Sequence, residues 1–125
     1  MAKEQRILII EDQPEMAQAI QRVLKKTEYE IKIATDGFHA GALLNTLHPI
    51  MVTLDLRMPG LDGFEVLDYI RSNPDLSGTK ILVISAELDD NLDRAIQSGA
   101  DAVLSKPFEN KALISIIQSL MQSSS

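Results

Sequence analysis

The sequence predicts an α/β fold in which five parallel strands form one doubly wound sheet covered by five helices. Three observations predict it. Short, apolar, β-branched runs recur along the chain, each of a length that suits a strand buried on both faces. Between them lie stretches whose apolar residues repeat at helical spacing. Strand and helix patterns alternate throughout, which is the signature of right-handed βαβ units and a parallel sheet.

The first strand is Ile7-Leu8-Ile9-Ile10, which stops at Glu11-Asp12. Pro14 suits the first turn of a helix, where its missing N–H costs little. Met16, Ala17, Ile20, Val23, Leu24 and Thr27 then recur at helical spacing, with Gln18, Gln21, Arg22 and Lys25 on the other face. Glu30 to Ala34 alternates apolar and charged residues, as a strand near the sheet edge does. Asp36-Gly37 turns the chain into a second helix with Ala40, Leu43, Leu44 and Leu47 inside, ended by His48-Pro49. Ile50 to Leu54 is the third strand. It ends abruptly at Asp55, and the Pro59-Gly60 and Asp62-Gly63 turns follow. Phe64, Val66, Leu67 and Ile70 mark the third helix, closed by Asn73-Pro74.

Lys80 to Ile84 is a fourth strand ending at Ser85. Leu88, Leu92, Ala95 and Ile96 mark a fourth helix with Ser98-Gly99 as its stop. Ala102-Val103-Leu104 is a brief last strand ending at Ser105-Lys106-Pro107. Ala112, Leu113, Ile116, Ile117 and Leu120 give the fifth helix, before a Ser-rich tail at 122–125. Five strands favour the flavodoxin-like order 2-1-3-4-5. That order makes the strands ending at Asp12 and Asp55 neighbours, with the topological switch point between them.

Length and charge narrow the function. The 125 residues are expected to form a single domain over 1–125, with its core at about 5–120. Such a domain buries roughly two-thirds of its unfolded surface and needs no staples. No cysteine is present, so disulfides, thiolate zinc sites and thiol catalysis are excluded. A net charge of -6 without a cluster of Lys and Arg disfavours contact with nucleic acid. No signal-peptide pattern and no membrane-length run is found, so the expectation is a soluble, cytoplasmic protein without a membrane partner.

The chemistry gathers at one edge. Glu11, Asp12, Asp55, Ser85 and Lys106 all stand at carboxyl ends of strands, which share one edge of a parallel sheet. Three carboxylates there repel one another, and a divalent cation relieves that repulsion. Hard oxygen ligands with positions left for water and phosphate suit Mg²⁺. Lys106 supplies a fixed positive charge and Ser85 a hydroxyl donor. A carboxylate nucleophile, a metal, a lysine and a hydroxyl are the parts of phosphoryl transfer, with Asp55 as the nucleophile. Bland readings compete residue by residue: Glu11-Asp12 as a helix cap, Ser85 as a strand-end serine, Lys106 as a snorkelling surface side chain. None of them predicts that all four strand ends carry such residues in this order. His39 and His48 lie away from this edge and read as surface residues, and the five methionines read as core filler or chain start.

The chain resembles a response-regulator receiver domain of two-component signalling from about Gln5 to Leu120. The resemblance rests on the acidic pair closing Ile7 to Asp12 and on Leu54-Asp55-Leu56-Arg57-Met58-Pro59-Gly60-Leu61-Asp62-Gly63. It extends to Ile84-Ser85-Ala86 and to Ser98-Gly99-Ala100-Asp101 through Lys106-Pro107-Phe108. It implies that Asp55 accepts a phosphoryl group from a histidine kinase or a His-phosphotransfer protein. It implies Mg²⁺ held by Asp12, Asp55 and the Arg57 carbonyl, with Glu11 assisting. Lys106 would contact the phosphoryl oxygens. Ser85 would carry the signal to a protein-binding surface on the fourth helix, fifth strand and fifth helix. The Lys106–Pro107 bond is similar to one that is usually cis in this family.

This chain departs from the family pattern at two positions. Glu11 replaces an aspartate, and Val103 stands where many members carry an aromatic ring. Valine has no ring to swing and is stiff at χ1, so the output is expected to run through backbone and helix shifts. Arg57 and Glu87 are expected to pair across the mouth of the site and slow loss of the phosphoryl group.

Rival classes fare worse. A phosphatase of the haloacid-dehalogenase type wants a second acid two residues after the nucleophile, where this chain has Arg57. A flavin-binding module wants a Gly-rich first turn, and Glu11-Asp12 is acidic instead. A degenerate, interaction-only receiver would lack phosphorylation residues that are all present here. The expectation is a phosphoacceptor with self-dephosphorylation only, and not an enzyme acting on an external substrate.

Overall fold

Alternate residues of each inner strand are sorted to opposite sides of one sheet, and that sorting builds the molecule. A computed structural model describes residues 5–86 and 89–122, without the side chains at 89 and 90. The sheet strands are β1 (Arg6–Ile10), β2 (Glu30–Ala34), β3 (Met51–Leu54), β4 (Lys80–Ser85) and β5 (Ala102–Ser105). All neighbours are parallel and the order is β2-β1-β3-β4-β5. The helices are α1 (Pro14–Leu24), α2 (Gly37–Leu47), α3 (Gly63–Ser72), α4 (Asp89–Gln97) and α5 (Asn110–Gln122). The predicted doubly wound, flavodoxin-like architecture is therefore the one observed.

Ile7, Ile9, Met51, Leu82 and Ile84 face α1 and α5, where Ala17, Ile20, Leu24, Leu113 and Ile117 complete the cluster. Leu8, Ile10, Val52, Leu54, Ile81 and Val83 face the other way, onto Leu44, Leu67, Ile70, Leu92 and Ala95. Burial on both faces explains why β1 and β4 read as apolar runs, and β3 as one broken only by Thr53. The alternating Glu30-Ile31-Lys32-Ile33 pattern belongs to β2, which is an edge strand.

Helix ends follow local chemistry. Asp36 caps α2 by accepting the His39 N–H at 2.8 Å, and Asp62 caps α3 by accepting the Phe64 N–H at 2.9 Å. His48 closes α2 in the left-handed region at φ 47°. Gly99, at φ +115°, ends the turn after α4, a conformation that favours glycine. One boundary differs from the sequence reading. The periodicity of α1 runs on to Thr27, but the helix stops at Leu24, whose carbonyl accepts the Thr27 hydroxyl at 2.6 Å. Two small elements escaped the periodicity as well. One is a hairpin of Arg57–Met58 against Leu61–Asp62, and the other is a 3₁₀ turn at Pro74–Leu76. Neither is long enough to show a period.

Candidate functional site

The backbone ladder runs one residue past the strands and fixes the site's frame. The Glu11 N–H donates to Ala34 O at 3.0 Å, the Asp55 N–H to Ile10 O at 3.1 Å, and the Lys106 N–H to Ser85 O at 2.9 Å. Glu11, Asp55 and Lys106 therefore leave the sheet from hydrogen-bonded positions at the carboxyl edge. Glu11-Asp12 does not cap α1. The N-cap there is Gln13, whose side chain makes no capping bond, and Pro14 occupies the first turn.

Asp55 sits at the centre, only 6% exposed. Its Oδ1 accepts the Arg57 N–H at 3.0 Å and the Ser85 hydroxyl at 3.2 Å. Its Oδ2 accepts from Lys106 Nζ at 3.1 Å. Lys106 also donates to Glu11 Oε1 at 2.9 Å, so one ammonium bridges two buried carboxylates. Burial disfavours the charge on Lys106, but its hydrogen bonds to Glu11 and Asp55 more than offset that, and its pKa lies above the ordinary lysine value. Glu11 is shifted upward too. Burial is the main cause, with the neighbouring Asp55 charge adding to it, and the Lys106 contact only partly compensates.

Glu11, Asp12 and Asp55 each offer a carboxylate oxygen, and these oxygens lie within 4.8 Å of one another. That donor set is hard and anionic, and it fits Mg²⁺. Asp12 is the half-buried member, and its carboxylate makes no hydrogen bond or ion pair among the described residues. Arg57 starts the small hairpin with an exposed side chain. Glu87, its expected partner across the mouth, lies outside the described residues.

Sequence reasoning missed one residue that shapes the site. A Cβ built on Gly63 would lie 2.6 Å from Leu56 Cα and 3.2 Å from the Asp55 carbonyl oxygen. The start of α3 is thus pressed against the backbone that carries Asp55. The Asp62-Gly63 pair reads from sequence as a turn, and nothing in its spacing signals that approach. Val103 is half-buried in β5, paired with Val83, and it packs against the core cluster on the α2–α4 side. The Lys106–Pro107 peptide is cis. His39 and His48 are exposed, in α2 and at its C-cap, with the His39 ring beside Asp36 at 2.8 Å.

Comparisons with known proteins identify the family. The family model for the response regulator receiver domain matches residues 7–118. The receiver domain of a DNA-binding response regulator from Colwellia psychrerythraea 34H is 36% identical with a TM-score of 0.88, covering 94% of this chain and 98% of that one. A response regulator receiver domain from Bermanella marisrubri is 45% identical with a TM-score of 0.84, covering 95% and 98%. The DNA-binding response regulator MtrA of Mycolicibacterium smegmatis is 31% identical over 119 residues, which are 94% of this chain and 51% of that protein. The chain spans about half the length of the first curated relatives it matches.

Proposed function

The chain belongs to the response regulator receiver domain family, and from that premise we propose that it accepts a phosphoryl group on Asp55. One observation carries the assignment: Lys106 and Ser85, from separate strand ends, both hydrogen-bond the Asp55 carboxylate. An Asp55 oxygen attacks the phosphorus of a phosphohistidine on a histidine kinase or His-phosphotransfer protein. The new P–O bond forms as the P–N bond breaks, and the imidazole leaves with the electron pair and takes a proton. Lys106 Nζ meets charge on the phosphoryl oxygens, and the Ser85 hydroxyl can turn from Asp55 to the same oxygens. Asp12, Asp55 and the Arg57 carbonyl would hold Mg²⁺, with Glu11 nearby. When bound, Mg²⁺ supplies positive charge that lowers repulsion between the carboxylates and the incoming phosphoryl group.

The phospho-form replaces the single carboxylate charge at Asp55 with the roughly double charge of an acyl phosphate, and it biases two pre-existing conformations. Its output surface is α4, β5 and α5, reached through backbone and helix shifts because Val103 has no ring. Chemistry on the chain itself is limited to acceptance and hydrolysis of this group. We read residues 1–125 as one receiver domain acting in the cytoplasm through protein partners. No described helix is long and apolar enough to cross a membrane. DNA binding is named for longer relatives such as MtrA. For this chain it is not part of the reading, since a net charge of -6 opposes contact with phosphate.

The test is intact mass after incubation with acetyl phosphate, with and without Mg²⁺, beside Asp55→Asn. A phosphoryl adduct that requires the metal and vanishes in the variant supports the reading. An adduct that persists in Asp55→Asn, or none on folded protein, overturns it.

A further inference from the structure

Away from the phosphoryl site, α2 and α3 leave an open groove between them. Its floor is Ala40, Leu44 and Val66, all buried. Gly41 opens one wall, since a Cβ built there meets nothing within 4 Å. Tyr69 reaches across from α3, its hydroxyl donating to Asn45 Oδ1 on α2 at 2.6 Å. Phe38 lies one turn before Gly41 on the same stripe of α2 and is 81% exposed. Its ring meets the His39 ring edge-on at 5.6 Å, and His39 is held in turn by Asp36 at 2.8 Å. Phe38 and Tyr69 are two of the three exposed large hydrophobic side chains among the described residues. Aromatic rings held in water beside an apolar floor mark a contact surface.

We propose that this groove docks an amphipathic helix of a partner protein, one with Lys and Arg on either side of an apolar stripe. Charge selects that occupant. Asp62, Glu65 and Asp68 recur every third residue along α3, all exposed, and Glu65 lines the groove itself. Asp36 stands at the start of α2. From Ile33 to Ile70 the sole Lys or Arg is Arg57, which belongs to the hairpin and not to the groove. The next cation, Arg71, is turned away to Asp101. The end of α1, by contrast, exposes Arg22, Lys25 and Lys26. An acidic frame around an apolar groove attracts cationic flanks and repels anionic ones. Shape selects a helix. The lining comes from α2 and α3 alone, so an extended strand finds no sheet edge to pair with, whereas a third helix can seat its ridge between the two. Both aromatic anchors are already held in place, which lowers the ordering cost of docking. The groove is separate from α4, β5 and α5, so this contact does not depend on the phosphoryl group.

The full, unphosphorylated chain is titrated with synthetic helical peptides about four turns long and followed through its backbone amides by NMR. One set carries Leu, Met or Phe along one stripe with Lys on both flanks, and a second set has Glu in place of Lys. The Lys-flanked peptides shift the amides of Ala40, Leu44 and Tyr69, and the Glu-flanked peptides bind about tenfold more weakly or worse. Gly41→Leu plants a side chain in the groove where there is room for it, so α2 stays helical while affinity falls by about tenfold or more. Phe38→Ser removes a ring that is mostly in solvent, so it spares the fold and weakens binding in the same direction. The proposal is overturned if no Lys-flanked peptide shifts those amides, or if both sets bind equally well. It is overturned equally by a folded Gly41→Leu that binds as the parent does. Dimerisation of the chain alone that Gly41→Leu abolishes overturns it too, since the occupant is then a second copy.

Discussion

Arg71 Nη2 lies 2.7 Å from Asp101 Oδ2, and that same oxygen accepts the Ile81 N–H at 2.7 Å. Arg71 also donates to Gly99 O and Thr79 O, each at 2.8 Å. One guanidinium therefore ties the end of α3 to the segments that lead into β4 and β5, at the sheet edge opposite the phosphoryl site. A planar fork with fixed donors does this, and an ammonium cannot. Arg71→Ala should cost about 2–3 kcal/mol in urea unfolding, because it leaves several part-buried acceptors short of a donor. Arg71→Lys should recover less than half of the loss. Mg²⁺ binding at the far edge should be unchanged in both variants. A loss below about 0.5 kcal/mol for Arg71→Ala would mean that water replaces the clamp.

Two glycine-to-alanine changes should have opposite signs. A Cβ at Gly63 meets Leu56 Cα at 2.6 Å, a backbone atom that cannot move without shifting Asp55. Gly63→Ala should cost about 1–3 kcal/mol, as overpacking does, and should slow acceptance from acetyl phosphate. Gly41 lies inside α2, where an added Cβ meets nothing within 4 Å. Gly41→Ala should stabilise the protein by about 0.5–1 kcal/mol through helix propensity and a less flexible unfolded chain. Thermal melts of the two variants beside the parent decide both signs, and equal shifts would contradict the packing argument.

Thr53 is 1% exposed, and its hydroxyl is buried without a hydrogen-bond partner. It stands in β3 between Ile9 and Leu82, whose side chains belong to the apolar cluster under α1 and α5. Thr53→Val keeps the shape and removes the stranded polar group. Stability should rise by about 1–2 kcal/mol, seen as a higher urea midpoint at unchanged slope. A fall in the midpoint would show that the hydroxyl has a partner, such as a buried water.

Much of this architecture was legible in the chain because the signals are local. β1, β3 and β4 are buried on both faces, so they are mostly apolar, with Thr53 the exception in β3, and Asp55, Ser85 and Lys106 break or follow such runs. The convergence of those residues then follows from topology, since parallel strands share an edge. Less legible were features decided by contacts between distant segments. Nothing near Arg71 in sequence announces Thr79, Gly99 and Asp101. The approach of Gly63 to the Asp55 backbone depends on how the small hairpin folds back. The end of α1 was set by the Thr27 hydroxyl winning over an apolar period that continued past it. Glu11 was readable as an acid in a metal site, but its bond to Lys106 spans nearly the whole chain and needed the fold.

The coupled charges of Glu11 and Lys106 give the site a pH signature with a definite sign. Glu11 has a folded pKa above its ordinary 4.5, because it is buried. A group raised in this way contributes stability that is full below the unfolded value and is lost as pH rises through the folded one. Ionised Glu11 therefore works against the fold, and Lys106 is the group that offsets it. Lys106 is also raised, above its ordinary 10.5, so its own contribution is full at neutral pH and is lost only in strong alkali. Lys106→Met should remove the offset and cost about 2–4 kcal/mol at pH 7, since it leaves a buried carboxylate unpaired. At pH 5 the cost should be smaller, because the unpaired Glu11 takes up a proton that the parent chain binds less readily. Urea titrations of parent and variant at both pH values measure the difference. A Lys106→Met cost that is equal at pH 5 and pH 7 would show that Glu11 does not answer to Lys106. In Lys106→Met combined with Glu11→Gln, the pH dependence of the cost should shrink, because one of the two carboxylates that Lys106 bridges is gone.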